Sequence, residues 1–139
     1  MALKANPDAR TALEKQVRRL LLAVADIHEG EAVFGDRDRS TAFFVDAKQM
    51  ANFRGENGLA IRLSRKKVSE LRAALKSDER VDLLRSGSDW IGVHFATRAD
   101  ADFAVELAAI AAEQYRPTDG RPPRLPPVGA DLARRQLFH

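Results

Sequence analysis

The 139-residue sequence contains no cysteine. That excludes disulfides, zinc–thiolate sites and thiol nucleophiles, and it fits a reducing cytoplasm. Aromatics are few: seven Phe, one Trp and one Tyr. They fall chiefly in strand-like stretches, so no stacking platform for a nucleic-acid strand stands out. Long apolar runs are also missing. "LLLAVA" is far shorter than the roughly 20 residues of a membrane-spanning helix. The opening "MALKANPDAR" has no apolar signal core. These absences lead us to expect a cytoplasmic protein with no membrane association. Histidine is limited to His28, His94 and His139, none at metal-ligand spacing, so no metal site and no cofactor are implied. P-loop, GxGxxG and GxSxG patterns are absent, which leaves no catalytic motif.

What is present is a charged, mixed surface. Charged residues make up 31% of the chain, with a net charge of +3. This is an ordinary balance for a protein surface, and it permits nucleic-acid binding without requiring it. The length suits one domain. We place that domain at residues 1–116, with an arm at 117–139, because five of the six prolines lie between Pro117 and Pro127. "RPTDGRPPRLPP" cannot be helix or central strand and reads as an extended segment. In "GADLARRQLFH", Leu132, Leu137 and Phe138 need a partner surface. That surface is either the domain itself or a second copy in a homodimer.

Periodicity supplies the elements. Asn6, Pro7 and Asp8 suit a helix start. Leu13, Val17, Leu20, Leu21 and Val24 form one helical face, with Gly30 as the stop and His28 near the end. Arg10, Arg18 and Arg19 fall elsewhere around that helix, in solvent. "EAVF", "TAFFV", "KQMANF" and "LAIRLS" read as strands, with a two-residue turn at Asp46-Ala47. Leu59, Ile61 and Leu63 alternate with Ala60 and Arg62, the mark of a half-buried antiparallel strand. Ser64 caps a second helix whose buried stripe is Val68, Leu71 and Leu75. "VDLL" is a short strand or an extended loop. In "WIGVHFA", Ile91, Val93 and Phe95 face the core, while Trp90, Gly92 and His94 face away. Thr97 and Asp100 form a capping box for the last helix, with Phe103, Leu107 and Ile110 along one side. The expected class is α+β: an antiparallel sheet of about four to five strands packed on helices, in the order α-β-β-β-β-α-β-α.

Two sets of residues are candidates for function. Asn52, Arg54 and Glu56 share parity, with Arg62 across the turn. An amide, a guanidinium and a carboxylate could together orient a polar ligand. Trp90 and His94 add a flat aromatic and a titratable ring on the non-core side. The expected partner is a polar small molecule or a protein. The alternative is nucleic acid, bound through Arg62, Arg65, Lys66, Lys67 and Arg72, a basic group able to contact phosphates. Arg65, Lys66 and Lys67 crowd a helix N-terminus, the end that disfavours cations.

"KQMANFRGENGLAIRLSRKKVSEL" and "SGSDWIGVHFATRADADFAVELAAIAAEQYR" resemble, over roughly residues 42–116, the bacterial luciferase-like domain. That is a small α+β domain of unknown function, related to the domain of fungal luciferases. The resemblance places the family's two motif histidines (Gly-His-x-His-Gly-Asp) at Asn52 and Arg54, its Gly-Asp at Gly55-Glu56, and its turn tryptophan at Trp90. It therefore implies the family's fold and the location of its site, with the histidine chemistry replaced. "VFG", "FFVDAKQMANF" and "GLAIRLS" are similar, more weakly, to the TfoX N-terminal domain and the MmcQ/YjbR proteins, small α+β units.

Overall fold

The structure is a computed structural model that describes residues 10–32, 41–83 and 89–126. It is an α+β fold of three helices and a six-stranded antiparallel sheet. Helix α1 spans Ala12–Ala23, β1 His28–Glu31, β2 Thr41–Val45, β3 Lys48–Phe53 and β4 Gly58–Arg62. These are followed by α2 at Arg65–Ser77, β5 at Val81–Asp82, β6 at Trp90–His94 and α3 at Arg98–Tyr115. Strand order is β1-β2-β3-β4-β6-β5. The sixth strand, beyond the expected four to five, is the two-residue β5 on an edge.

One face of the sheet carries the core. Phe43, Val45, Ala51, Phe53, Leu59, Ile61, Ile91 and Val93 project from it, all at most 1% exposed. Phe43 and Phe53 meet edge to face, with ring centroids 5.8 Å apart. Helix α3 packs on β3, β4 and β6 and against α1. It does so through alanines, since Ala101, Ala104, Ala108, Ala111 and Ala112 are buried with Leu107. Of the side that carries Phe103, Leu107 and Ile110, Leu107 is buried while Phe103 and Ile110 are partly buried. Small side chains let the helix axis approach the sheet closely, and the bulky residues then fill its flanks.

The strand β2–β3 pairing contains a bulge. Phe43 pairs with Ala51 and Phe44 with Gln49, so Met50 is the extra residue. Both Met50 and Ala51 consequently belong to the core cluster. Asp46 and Ala47 make the two-residue turn, with φ of 52° and 62°, as a type I′ hairpin requires.

Caps hold the helices. Thr11, not Asn6, is the N-cap of α1, in a complete capping box with Glu14; Asn6 and Pro7 lie outside the described residues. The Glu14 carboxylate is fully buried and also accepts from the Asn57 N–H at 2.9 Å. Thr11 Oγ1 donates to the Asn57 side-chain oxygen, so the helix start is tied to the β3–β4 turn. Ser64 accepts from the Lys67 N–H and caps α2 as expected. Thr97 accepts from the Asp100 N–H, while the Asp100 carboxylate reaches back to the Ala96 N–H.

Helix α1 ends seven residues before Gly30. Asp26, at φ 70°, takes the left-handed turn, and His28 and Gly30 belong to β1 rather than to the helix. "HEGE" has weak strand propensity and is held as a strand by its pairing with β2. Of the arginines expected in solvent around this helix, Arg10, which precedes its cap, and Arg18 are not simply solvated. Arg18 pairs with Glu29 through two bonds of 2.7 and 2.8 Å. The Arg10 guanidinium lies 5.1 Å from the Phe53 ring centroid.

The arm to Pro126 is laid against the domain. Arg116 Nη2 donates to the Ala25 carbonyl, and its Nε lies 3.2 Å from the Asp26 carboxylate. Further on, Arg121 and Arg124 converge on Asp46, which is 2% exposed in the hairpin turn. Arg121 makes a fork of 2.8 and 2.6 Å, and the Arg124 backbone N–H adds a bond of 2.9 Å. These donors, Arg121 foremost, hold the Asp46 carboxyl well below the usual carboxylate range. Among the described residues, no helix is long and apolar enough to cross a membrane.

Candidate functional site

The second face of the sheet differs from the first in chemistry. Its register brings Gly30, Ala42, Asn52, Ala60, Gly92 and Asp82 into one row across all six strands. Four of the six carry a methyl group or nothing, so the middle of this face is low. Alternation continues the pattern into two flanking rows. On one side stand Phe44, Gln49, Arg62 and Trp90, with Arg62 directly opposite Trp90. On the other stands His94, opposite Gly58.

Arg54 follows β3 and is 53% exposed. Its backbone N–H donates to the Gly58 carbonyl at 2.9 Å. Glycine is required at 58, because a Cβ there would stand 2.3 Å from the Arg54 carbonyl oxygen. The Arg54 side chain reaches toward β5, where its Nη1 stands 4.0 Å from the Asp82 carboxylate. His94 is likewise exposed. Arg54, His94 and Asp82 therefore form an open polar margin beside the low row.

Asn52 sits differently. It is 5% exposed, accepts from the Gln49 side chain at 3.3 Å, and donates to the Phe53 carbonyl at 3.2 Å. Its amide is part of the floor. Arg62 is joined to Asp89 by a 2.8 Å bond. Nearby, burial pushes the Tyr115 phenol up, with the Arg62 charge opposing.

Asn52, Arg62, Trp90 and His94 thus share a sheet face, and Arg54 adjoins them. Glu56 does not. Gly55 adopts φ +60° and ends the alternation, so Glu56 lies exposed in the turn. The common parity of Asn52, Arg54 and Glu56 does not become a common strand face, because β3 stops at Phe53. Parity gave no signal for Asp82 and Asp89, which the register of β5 and the turn before β6 bring in.

The basic set is divided by the fold. Arg62 lies on the sheet and is engaged by Asp89, and Lys67 pairs with Glu70 at 3.1 Å. Arg65, Lys66 and Arg72 are exposed on α2. Among the described residues, no group of three or more His, Asp or Glu is placed to hold a metal ion.

No family model matches the chain, and no curated protein or solved structure matches it either.

Proposed function

We propose that the protein binds a polar, anionic small molecule at the Arg54–His94 margin of the second sheet face. The carrying observation is that Arg54 and His94 share one margin of a floor of small residues, with Trp90 on the opposite margin. A guanidinium offers paired donors to a carboxylate or phosphate. An imidazole adds a ring N–H donor. Trp90 supplies a flat apolar surface to a ligand's ring or chain. Asp82, 4.0 Å from the guanidinium, is the weak partner that a bound anion would replace. The resemblance to the luciferase-like domain supports the same location, since the family's motif histidines align with Asn52 and Arg54. No catalytic step is assigned, because no nucleophile–base pair accompanies these groups.

The test is a thermal-shift and NMR titration of the full chain with inorganic phosphate and with small mono- and dicarboxylates. Amide shifts should concentrate at Arg54, Gly58 and His94. Arg54→Ala should weaken binding about tenfold or more, the scale of one charge-assisted hydrogen bond. Unchanged affinity in both Arg54→Ala and Trp90→Ala would sink the proposal.

A further inference from the structure

The chain has three asparagines, and only Asn57 is followed by glycine. Asn6 precedes Pro7, which has no N–H to react, and Asn52 precedes the bulky Phe53. The fold itself demands the Asn57-Gly58 pair. Asn57 takes φ 55°, a left-handed conformation that asparagine tolerates better than most residues. At Gly58 a Cβ would collide with the Arg54 carbonyl oxygen. The β3–β4 turn therefore carries a backbone nitrogen with an unhindered approach to the preceding side-chain amide. Three contacts hold that amide back from reaction. Thr11 Oγ1 donates to the Asn57 side-chain oxygen. The Asn57 N–H donates to the Glu14 carboxylate at 2.9 Å, and the Asn57 carbonyl accepts from the Phe95 N–H at 3.0 Å. For the Gly58 nitrogen to reach the Asn57 side-chain carbon, the side chain must leave Thr11 and the peptide plane pinned by Phe95 must turn.

We propose that Asn57 is a deamidation site gated by the start of α1. While Thr11 and Glu14 hold Asn57, the amide is retained. When the first turn of α1 loosens, the Gly58 nitrogen attacks the Asn57 side-chain carbon. A nitrogen–carbon bond forms and the bond from that carbon to Nδ2 breaks. The Gly58 N–H proton goes to the departing nitrogen, ammonia leaves, and a succinimide ring closes. Water then opens the ring at either carbonyl. One product is Asp at position 57, and the other is an isoaspartyl linkage that carries the backbone through the side chain. Neither restores the original contacts. The first sets a carboxylate beside that of Glu14, which is fully buried, and like charges withdrawn from water repel. The second lengthens the turn that joins β3 to β4. A passing loosening of the helix start thus becomes permanent. This site does not rest on the ligand proposed above.

The test is incubation of the full chain at mildly alkaline pH. Intact mass counts the exchange of NH2 for OH, and the tryptic peptide Gly55–Arg62 locates it. The same peptide incubated free gives the ungated rate. The folded chain should convert at least about tenfold more slowly than the peptide, since only its opened fraction reacts. Thr11→Ala should convert about fivefold faster than wild type, the rise in opened population that loss of a Thr cap brings. Thr11→Ser, which keeps the hydroxyl, should stay at the wild-type rate. Ile91→Val lowers global stability by a comparable amount without touching the turn, and it should also leave the rate unchanged. A folded chain that converts as fast as the free peptide overturns the proposal, as does a Thr11→Ala rate equal to wild type. Equal acceleration in Thr11→Ala and Ile91→Val overturns it too, and assigns the gate to global unfolding.

Discussion

The two faces of the sheet are built on opposite rules. The core face follows strict alternation: Leu59 and Ile61 on β4 meet Ile91 and Val93 on β6, and α1 and α3 lie over them. Its stability comes from apolar area that each strand contributes locally. The second face has small residues at its centre and is joined to the chain's end by charged groups, chiefly Asp46 with Arg121 and Arg124. Any strand can be seen to have a core side, whereas the hairpin turn bordering the second face is held by a residue 75 positions away. Hydrophobic burial is non-directional and tolerates many partners, but a bidentate carboxylate–guanidinium contact has one geometry.

The sharpest way to break this contrast is to remove mass from the core face. Phe43→Ala should cost about 3–5 kcal/mol, read as a lower urea midpoint with an unchanged slope. A loss below about 1 kcal/mol would mean that the core face repacks as readily as a surface.

A smaller effect is expected on the second face. Gly30→Ala places a methyl against Pro126 and the Phe44 ring. Overpacking of this kind costs about 1–3 kcal/mol, and the arm should become more readily cut by trypsin. If stability fell while the arm stayed protected, Phe44 and not the arm would be the yielding partner.

The gentlest perturbation is pH. Asp46 and Asp78 have lowered carboxyl pKa values in the folded protein, Asp78 down to about 2 through its bonds to Arg80. Their stabilising contribution is complete above the unfolded value of about 3.9 and fades as pH falls below it. The denaturation midpoint should hold from pH 7 to 5 and then drop between about pH 4 and 2. Asp46→Asn should lower stability at pH 7 and flatten the acid limb. An identical acid limb in wild type and variant would show that the Asp46 contact contributes nothing.

Much of the core face was legible because its signal is local. The period of two in "LAIRL" and "WIGVH" placed every core residue of β4 and β6 correctly. Ser64 and Thr97 announced their helices by the same short-range logic. Failures came where neighbours in space overrule neighbours in sequence. "HEGE" is a strand because β2 offers it a ladder. Glu56 left the site because Gly55 turns the chain one residue after β3. Asp46 looked like a turn residue and nothing more, since its arginine partners come from the proline-rich segment. Of the candidate residues, parity put Asn52, Arg62 and His94 on the second sheet face, while Asp82 came to it only through the pairing of β5 with β6.

Met50 illustrates how such a sheet keeps count. As the one unpaired residue of β3, it works as a frame marker: residues before it are read on one phase and residues after it on the other. Losing it would close the bulge, leaving Phe44 opposite Gln49 and Phe43 opposite Ala51 in a ladder that alternates without interruption. The cost of that deletion is a vacated core position, since Met50 is fully buried. An insertion beside it would instead add a second residue with no partner on β2, which makes this a position constrained by number as much as by chemistry.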